Sequence, residues 1–206
     1  MKLKIKELLH ELKHHLPFTT IATISAILLC SIWIYFIKIP ISGQVFEFSH
    51  EMHIVLSAIV TSAMFYKYKK QAINAILIGM AASIVVGSLS DIIFPYIGAI
   101  SLGIQTGFHL PIFEMPLIIL LVALAGSLIG ITTQKTKMPH FLHVFVSAFA
   151  SLFYLLAFSP AFNLLFFIES FFIVLISVVI PCCVSDIVFP FFFLGERIKN
   201  CKCKEC

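Results

Sequence analysis

Charged residues are scarce in this chain of 206 residues: only 12% are Asp, Glu, Lys or Arg, whereas 60% are hydrophobic. Aspartate occurs twice and tryptophan once. The mean hydropathy is +1.06, and a water-soluble domain of this composition would leave long Leu, Ile and Phe runs uncovered. The shortage of charge therefore excludes a soluble globular domain. It predicts an all-α integral membrane protein that forms a single membrane domain over residues 1–206 in the lipid bilayer.

Several familiar catalytic and binding motifs are also missing. The chain has no glycine-rich phosphate loop and no Gly-x-Ser-x-Gly elbow. The stretch from His50 to His53 is one residue short of the His-Glu-x-x-His spacing of zinc proteases. No basic stripe interleaved with aromatic residues is present, which argues against nucleic-acid binding. These absences favour a protein that is not an enzyme.

Long hydrophobic runs predict six transmembrane helices. They are expected at residues 17–38, 50–66, 71–95 or slightly beyond, 111–133, 140–159 and 163–194. The last run is long for one span and contains Pro181 and Pro190, which predicts a kinked or broken helix. In residues 1–16, Lys and His alternate with Leu and Ile. This pattern predicts an amphipathic helix on the membrane surface rather than a cleaved signal peptide.

Lysine and arginine are concentrated at the two ends of the chain and in alternate loops. The second predicted loop contains Lys67, Lys69 and Lys70, and the fourth contains Lys135 and Lys137. The third and fifth predicted loops contain neither lysine nor arginine. By the positive-inside rule, this distribution predicts a multi-pass protein of the cell membrane with both termini in the cytoplasm.

Three short motifs occur twice, in the same order and at an offset of roughly 90 to 95 residues. The pairs are His15-Leu16-Pro17 with His109-Leu110-Pro111, His50-x-x-His53 with His140-x-x-His143, and Ser90-Asp91-Ile92 with Ser185-Asp186-Ile187. Each copy holds three predicted helices, an odd number, so the second copy must enter the membrane from the opposite side. The duplication therefore predicts two inverted three-helix repeats, residues 17–108 and 109–195.

The repeated motifs carry residue types that bind transition metals. Residues three apart share one helix face, so His50 and His53 can reach one ion, and Asp91 can join them from the next helix. Imidazole together with carboxylate suits zinc, iron, manganese, cobalt or nickel, and three ligands leave a coordination position open. The equivalent residues of the second copy are His140, His143 and Asp186.

Further candidate metal ligands lie beside these two sets. His109 and Glu114 open the fourth predicted helix, and His15 precedes the first. The tail at residues 196–206 combines lysines, which favour thiolates, with three cysteines that a reducing cytoplasm keeps free: Cys201, Cys203 and Cys206. Structural explanations stand beside the metal hypothesis. A Ser-Asp pair before proline can cap a helix, paired histidines can face interfacial water, and the tail can be a disordered basic segment.

Taken together, these residues predict a membrane transporter or binding protein for a divalent transition-metal cation. One alternative is an intramembrane metal-dependent enzyme that acts on a lipid. Another is an electron-transfer protein in which paired histidines hold haem. Apart from the metal ion and the lipid bilayer, the pattern indicates no particular partner, and six helices are compatible with a homodimer.

Overall fold

The computed structural model describes the backbone of residues 5–159 and 163–194. Side chains are described within those ranges except at 5–12, 14–15, 137–140 and 182–194. Over these residues the chain is helical and contains no β-strand, so the predicted all-α class is confirmed. The helices are α1 Ile5–Ile32, α2 Gly43–Tyr68, α3 Ala72–Ser88, α4 Phe94–Ser101, α5 Pro111–Glu114, α6 Pro116–Thr133, α7 Lys137–Phe158 and α8 Leu164–Leu194.

Five helical segments in the described chain are long and apolar enough to cross a membrane. They are Leu16–Ile37, Ala72–Ser101, Pro116–Thr133, Phe141–Phe158 and Leu164–Pro181. These segments match five of the six predicted spans. The remaining prediction falls on α2, whose hydropathy is lowered by polar residues such as His50, Glu51 and His53. α2 nevertheless lies at the centre of the bundle, packed against α3, α6, α7 and α8. Its crossing of the membrane stays a prediction.

Two helices continue where a boundary or a break was predicted. α1 runs without interruption from Ile5 through Pro17 to Ile32, so the basic segment and the first apolar run share one helix. α8 likewise continues across Pro181 and Pro190. Prolines are tolerated in membrane helices when neighbouring groups satisfy the freed carbonyls. A surface position for residues 1–16 stays a prediction.

Contacts along α2 show how its neighbours are oriented. The pairs are Ser62–Gly79 with α3 and His50–Asp91 with the turn that directly follows α3, Val55–Gly126 and Ile59–Gly130 with α6, and Phe46–Phe158 and His53–His143 with α7. α3 and α7 therefore run antiparallel to α2, and α6 runs parallel to it. This alternation is the pattern that consecutive membrane-spanning helices produce.

Charged side chains differ between the two ends of the bundle. We call one the basic end; it carries Lys67, Lys69, Lys70 and Lys135. There Lys70 Nζ donates to Gln134 Oε1 at 2.9 Å, which joins the α2–α3 loop to the α6–α7 loop. We call the other the acidic end; it carries Glu47, Glu51 and Glu114, together with Lys38 in the loop before α2. The positive-inside rule predicts that the basic end faces the cytoplasm.

Glycines on α6 allow it to pack closely against α2. A Cβ on Gly126 would lie 2.5 Å from the carbonyl oxygen of Val55 and 2.9 Å from Ala58 Cβ, and a Cβ on Gly130 would meet the backbone of Ile59. Gly126 and Gly130 form a Gly-x-x-x-Gly motif, a spacing that brings membrane helices into close contact. Even one methyl group at either position would separate the two backbones.

Gly126→Ala is therefore expected to destabilise the bundle by about 1–3 kcal/mol, because a backbone carbonyl cannot move aside as a flexible side chain can. The measurement is the melting temperature of the detergent-purified protein. Gly43→Ala is the matched control, since its Cβ would meet the ring of Phe158 at ordinary distances, 3.6 Å from Cζ and 4.0 Å from Cε1. Equal melting temperatures for Gly126→Ala and the wild type would contradict close packing of α2 against α6.

Candidate functional site

Asp91 is fully buried in the bundle, between α3 and α4. It lies in a π-helical turn, Leu89–Ile93, inside the long helical segment Ala72–Ser101. Turns of this kind are rare and frequently occur at functional sites. The turn was not predicted from the sequence. The signal that points to it is Pro95, which removes a backbone donor from the helix one turn beyond Asp91.

The π-helical turn leaves one backbone carbonyl without a hydrogen-bond donor in its own helix. The N–H of Phe94 donates to the carbonyl of Leu89, five residues earlier, and Pro95 has no N–H to donate. The carbonyl of Ser90 therefore lacks both the donor of an α-helix and the donor of a π-helix. Ser151 Oγ of α7 lies 3.0 Å from this oxygen and 2.8 Å from the carbonyl of Ser147 in its own helix, so the two carbonyls share its one hydroxyl proton. The turn is thereby tied to α7.

Ser151→Ala is expected to destabilise the protein by about 1–3 kcal/mol, because the carbonyl of Ser90 would be buried without a donor. The matched control is Ser101→Ala. It removes a hydroxyl that donates to the carbonyl of Gly98 at 2.8 Å, at an exposed helix end where water can replace it. Both variants are compared by thermal unfolding in one detergent. If the melting temperature falls no further for Ser151→Ala than for Ser101→Ala, the contact between Ser151 and the Ser90 carbonyl does not stabilise the protein.

The Asp91 carboxylate accepts four hydrogen bonds. Oδ2 accepts from His50 Nδ1 at 2.9 Å and from His53 Nδ1 at 2.8 Å. Oδ1 accepts from Ser90 Oγ at 2.7 Å and from Ser147 Oγ at 2.9 Å. Because an ionised carboxylate only accepts, we assign the proton of each imidazole to Nδ1. All acceptor positions of the carboxylate are therefore occupied.

Three of the predicted metal ligands, His50, His53 and Asp91, thus meet in the structure. They meet through hydrogen bonds, and no group of three or more His, Cys, Asp or Glu side chains in the described part of the chain could hold a metal ion as arranged. Direct ligation by Asp91 would require the metal to displace one of these four hydrogen bonds. Ser147 was not predicted as a site residue; its signal was a serine at the same spacing after both His-x-x-His motifs.

His53 also contacts the second His-x-x-His motif. Its ring stacks on that of His143 on α7, with centroids 5.4 Å apart and planes at 13°. Both side chains are buried. Within the described structure, His53 Nε2 is buried and forms no hydrogen bond. Since the proton of His53 is on Nδ1, Nε2 presents a lone pair that suits a proton or a metal cation.

The Asp91 cluster lacks a fixed positive charge. Among the described side chains, the ion-pair partners of Asp91 are His50 and His53, which are charged only after each gains a further proton. With both imidazoles neutral, the cluster carries a buried net charge of −1, and such a charge is costly unless it is paired. The cluster therefore attracts one more positive charge.

A second polar cluster lies at the acidic end. His109 Nδ1 is 2.8 Å from Glu114 Oε1, and His109 Nε2 is 3.3 Å from Glu47 Oε1. The structure thus brings together the predicted residues His109 and Glu114 and adds Glu47. Glu47 was not predicted, although it lies one helical turn before His50 on α2. The cluster is partly exposed, unlike that of Asp91.

Phe46 separates the two polar clusters. It is fully buried, and its ring centroid lies 5.7 Å from that of His50 on one side and 5.9 Å from that of His109 on the other. Two aromatic residues of α7 surround it, with centroid distances of 5.3 Å to Tyr154 and 5.7 Å to Phe158. One aromatic layer therefore lies between the acidic end and Asp91.

The remaining predicted ligands lie outside the described side chains. They are His15, His140, Asp186, Cys201, Cys203 and Cys206. The backbone of α7 and α8 includes His140 and Asp186, but their contacts are not described. Of the second predicted set, His143 alone has a described side chain, and it lies beside the first set. Metal binding by the other residues stays a prediction.

Comparison of the chain with known protein families, characterised proteins and solved structures finds no match. Over the residues that the structure describes, the fold and the site define the class: a helical chain with five helices apolar enough to span a membrane and a buried carboxylate–imidazole centre. Any function must therefore be argued from the chemistry of that centre.

Proposed function

We propose that this protein is a membrane transporter for a divalent transition-metal cation, with the Asp91 cluster as its binding centre. The observation that carries the proposal is a buried carboxylate whose described partners are two imidazoles and two hydroxyls, none of which carries a fixed positive charge, beside a buried Nε2 of His53 that forms no hydrogen bond. A cation at this position neutralises the charge and occupies the lone pair. The proposed cargo follows from the imidazole donor, which suits zinc, iron, manganese, cobalt or nickel.

The hydrogen bonds favour a supporting role for Asp91 rather than direct ligation. A metal-binding histidine usually donates one ring N–H to a carboxylate, which fixes the ring and makes the other nitrogen a better ligand. His53 has this arrangement: Nδ1 donates to Asp91, and Nε2 is available. In this proposal His53 Nε2 contacts the ion, and Asp91 orients the ring and balances the charge.

An inverted repeat fits the packing of the helices. If the two repeats are exchanged by a two-fold axis, α1 corresponds to α6, α2 to α7 and α3 to α8. The contacts α2·α6 and α1·α7, α3·α6 and α1·α8, and α2·α3 and α7·α8 then form equivalent pairs, and all six contacts occur. His53 and His143 are equivalent in the repeat and lie against each other, as residues beside such an axis do.

This symmetry supplies a transport mechanism. Two inverted halves can rock about a shared centre and open it to each side of the membrane in turn. The proposal includes six spans with both termini in the cytoplasm, and a second centre formed by His140, His143 and Asp186. Movement of one half against the other would change the contact between His53 and His143, which belong to different halves.

The direct test is uptake of Zn²⁺, Mn²⁺, Fe²⁺, Co²⁺ and Ni²⁺, offered one at a time, into liposomes that contain the purified protein and a metal-sensitive dye. We expect time-dependent uptake of at least one ion above that of protein-free liposomes. A parallel sample with a pH-sensitive dye reports a protein that moves only protons. Absence of uptake for all five ions, together with no metal in elemental analysis of the purified protein, would refute the proposal.

The two alternative functions, a haem protein and an intramembrane enzyme, predict different results with the same purified protein and liposomes. A haem with two axial histidines lies between their rings, whereas His53 and His143 stack directly at 5.4 Å, so this pair does not favour haem. Haem would give the purified protein a Soret absorption band. An intramembrane enzyme would show metal-dependent turnover of a lipid without ion flux.

A further inference from the structure

The Asp91 cluster lies close to one end of the bundle. His50 is in the second turn of α2, which begins at Gly43, so the rise of an α-helix places it about 10 Å from that end. The acidic end is therefore the shorter way from water to the carboxylate. Between that end and the carboxylate lies a single aromatic layer, formed by Phe46, Tyr154 and Phe158.

The layer is closed by contacts from three segments. Phe46 comes from α2, and Tyr154 and Phe158 come from α7. The loop between α4 and α5 holds the α7 side, because Gly107 N–H donates to the carbonyl of Phe158 at 3.0 Å and Tyr154 O–H donates to the carbonyl of Gly107 at 2.8 Å. The ring of His109, from the same loop, also stacks on Phe158 at 4.9 Å.

The outer side of this layer is polar and acidic. Glu47 follows Phe46 directly on α2, and its carboxylate and that of Glu114 flank His109 from two sides. Two carboxylates at the mouth of a low-dielectric path raise the local concentration of cations. The inner side is the ring of His50, which donates to Asp91. A surface with two carboxylates and the buried Asp91 carboxylate are thus separated by the aromatic layer, in which Phe46 contacts both His109 on the outer side and His50 on the inner side.

We propose that Phe46 is the gate between the acidic end and the Asp91 centre. The polar cluster of Glu47, His109 and Glu114 forms the outer surface of this gate. This inference rests on the proposed function, since it assigns the path by which a cation reaches the centre. Rotation of Phe46 away from His50 opens the path, and release of the loop at Gly107 gives the ring room to move. The gate opens and closes through side-chain and loop motion.

Thiol accessibility tests the gate without any measurement of transport. Ser90→Cys places a nearly isosteric thiol beside Asp91, in a background in which the six native cysteines have been replaced. A membrane-impermeant methanethiosulfonate reagent is applied to each face of sealed vesicles in turn. We expect slow labelling with Phe46 in place and, after Phe46→Ala, labelling about tenfold faster or more from the acidic-end face only.

Phe48→Ala is the matched control: it is the same substitution two residues later on α2, at a side chain that is 66% exposed and outside the aromatic layer. It is expected to leave the labelling rate unchanged. Phe46→Leu keeps an apolar side chain and is expected to give an intermediate rate, which also covers the case in which Phe46→Ala fails to fold. Unchanged labelling in both Phe46 variants, or equal acceleration from both faces, would overturn the proposal. If ion uptake is absent but the accessibility pattern holds, the transport function fails and the gate stands.

Discussion

Asp91→Asn is expected to lower metal affinity by about 10- to 100-fold, the usual cost of removing a group that supports a metal-binding histidine. The amide has nearly the size of the carboxylate. Its oxygen can accept from both His50 and His53, and its N–H₂ group can donate to the hydroxyls of Ser90 and Ser147. The hydrogen bonds therefore persist while the negative charge is lost, so the result isolates the role of the charge.

The measurement is the initial rate of metal uptake into liposomes at ion concentrations below saturation, with protein amounts matched. Glu169→Gln is the control, because it makes the same change of carboxylate to amide at a half-buried position on α8. That variant is expected to transport at the wild-type rate. If Asp91→Asn takes up metal at the wild-type rate, Asp91 is not part of the cation centre and its role is structural.

Asp91→Ala is expected to lower the free energy of unfolding by about 3–5 kcal/mol, the range for breaking a buried charged network by removing one partner. The methyl group leaves four buried donors without their acceptor: two imidazole N–H groups and two hydroxyls. Two of these groups are on α2 and one is on α7, so the loss loosens the contact of three helices. Thermal unfolding in detergent measures the effect.

Asp91→Asn is the control for the destabilisation expected of Asp91→Ala, and its melting temperature is not expected to fall. Because Asp91→Asn keeps the hydrogen bonds and removes a buried net charge, it is expected to melt at or above the wild-type temperature. A carboxylate retained at the expense of stability indicates a role in binding. Equal stability of Asp91→Ala and Asp91→Asn would show that the four hydrogen bonds do not hold the bundle together.

The pairing of His50 and His53 with Asp91 could be predicted because it follows from local geometry. Two residues three apart share a helix face, and adjacent helices joined by a short loop pack side by side, so a polar residue on each finds its partner. Glu47 and Ser147 could not be assigned in this way. Their partners, His109 and Asp91, are distant in the chain, and only the packing of α2 against α7 and the α4–α5 loop brings them together.

Phe46 shows most clearly what composition cannot predict. It is one of 22 phenylalanines, and Phe48, two residues later on the same helix, is equally apolar. In the structure Phe46 is fully buried between His50 and His109, whereas Phe48 is 66% exposed. In a membrane protein both the lipid and the core are apolar, so hydrophobicity does not distinguish a side chain that faces lipid from one that faces another helix.

The sequence by itself determined that this chain is helical and apolar enough for a membrane, and that its rare polar residues recur as two similar sets. Those properties follow from the hydrophobic runs and from the cost of placing charge among them. Only the tertiary structure decided that Asp91 is saturated by hydrogen bonds, that His53 meets His143, and that Phe46 covers the centre. The reason is physical: direction and distance between side chains on different helices depend on how closely the backbones approach, and here small residues such as Gly126 set that approach.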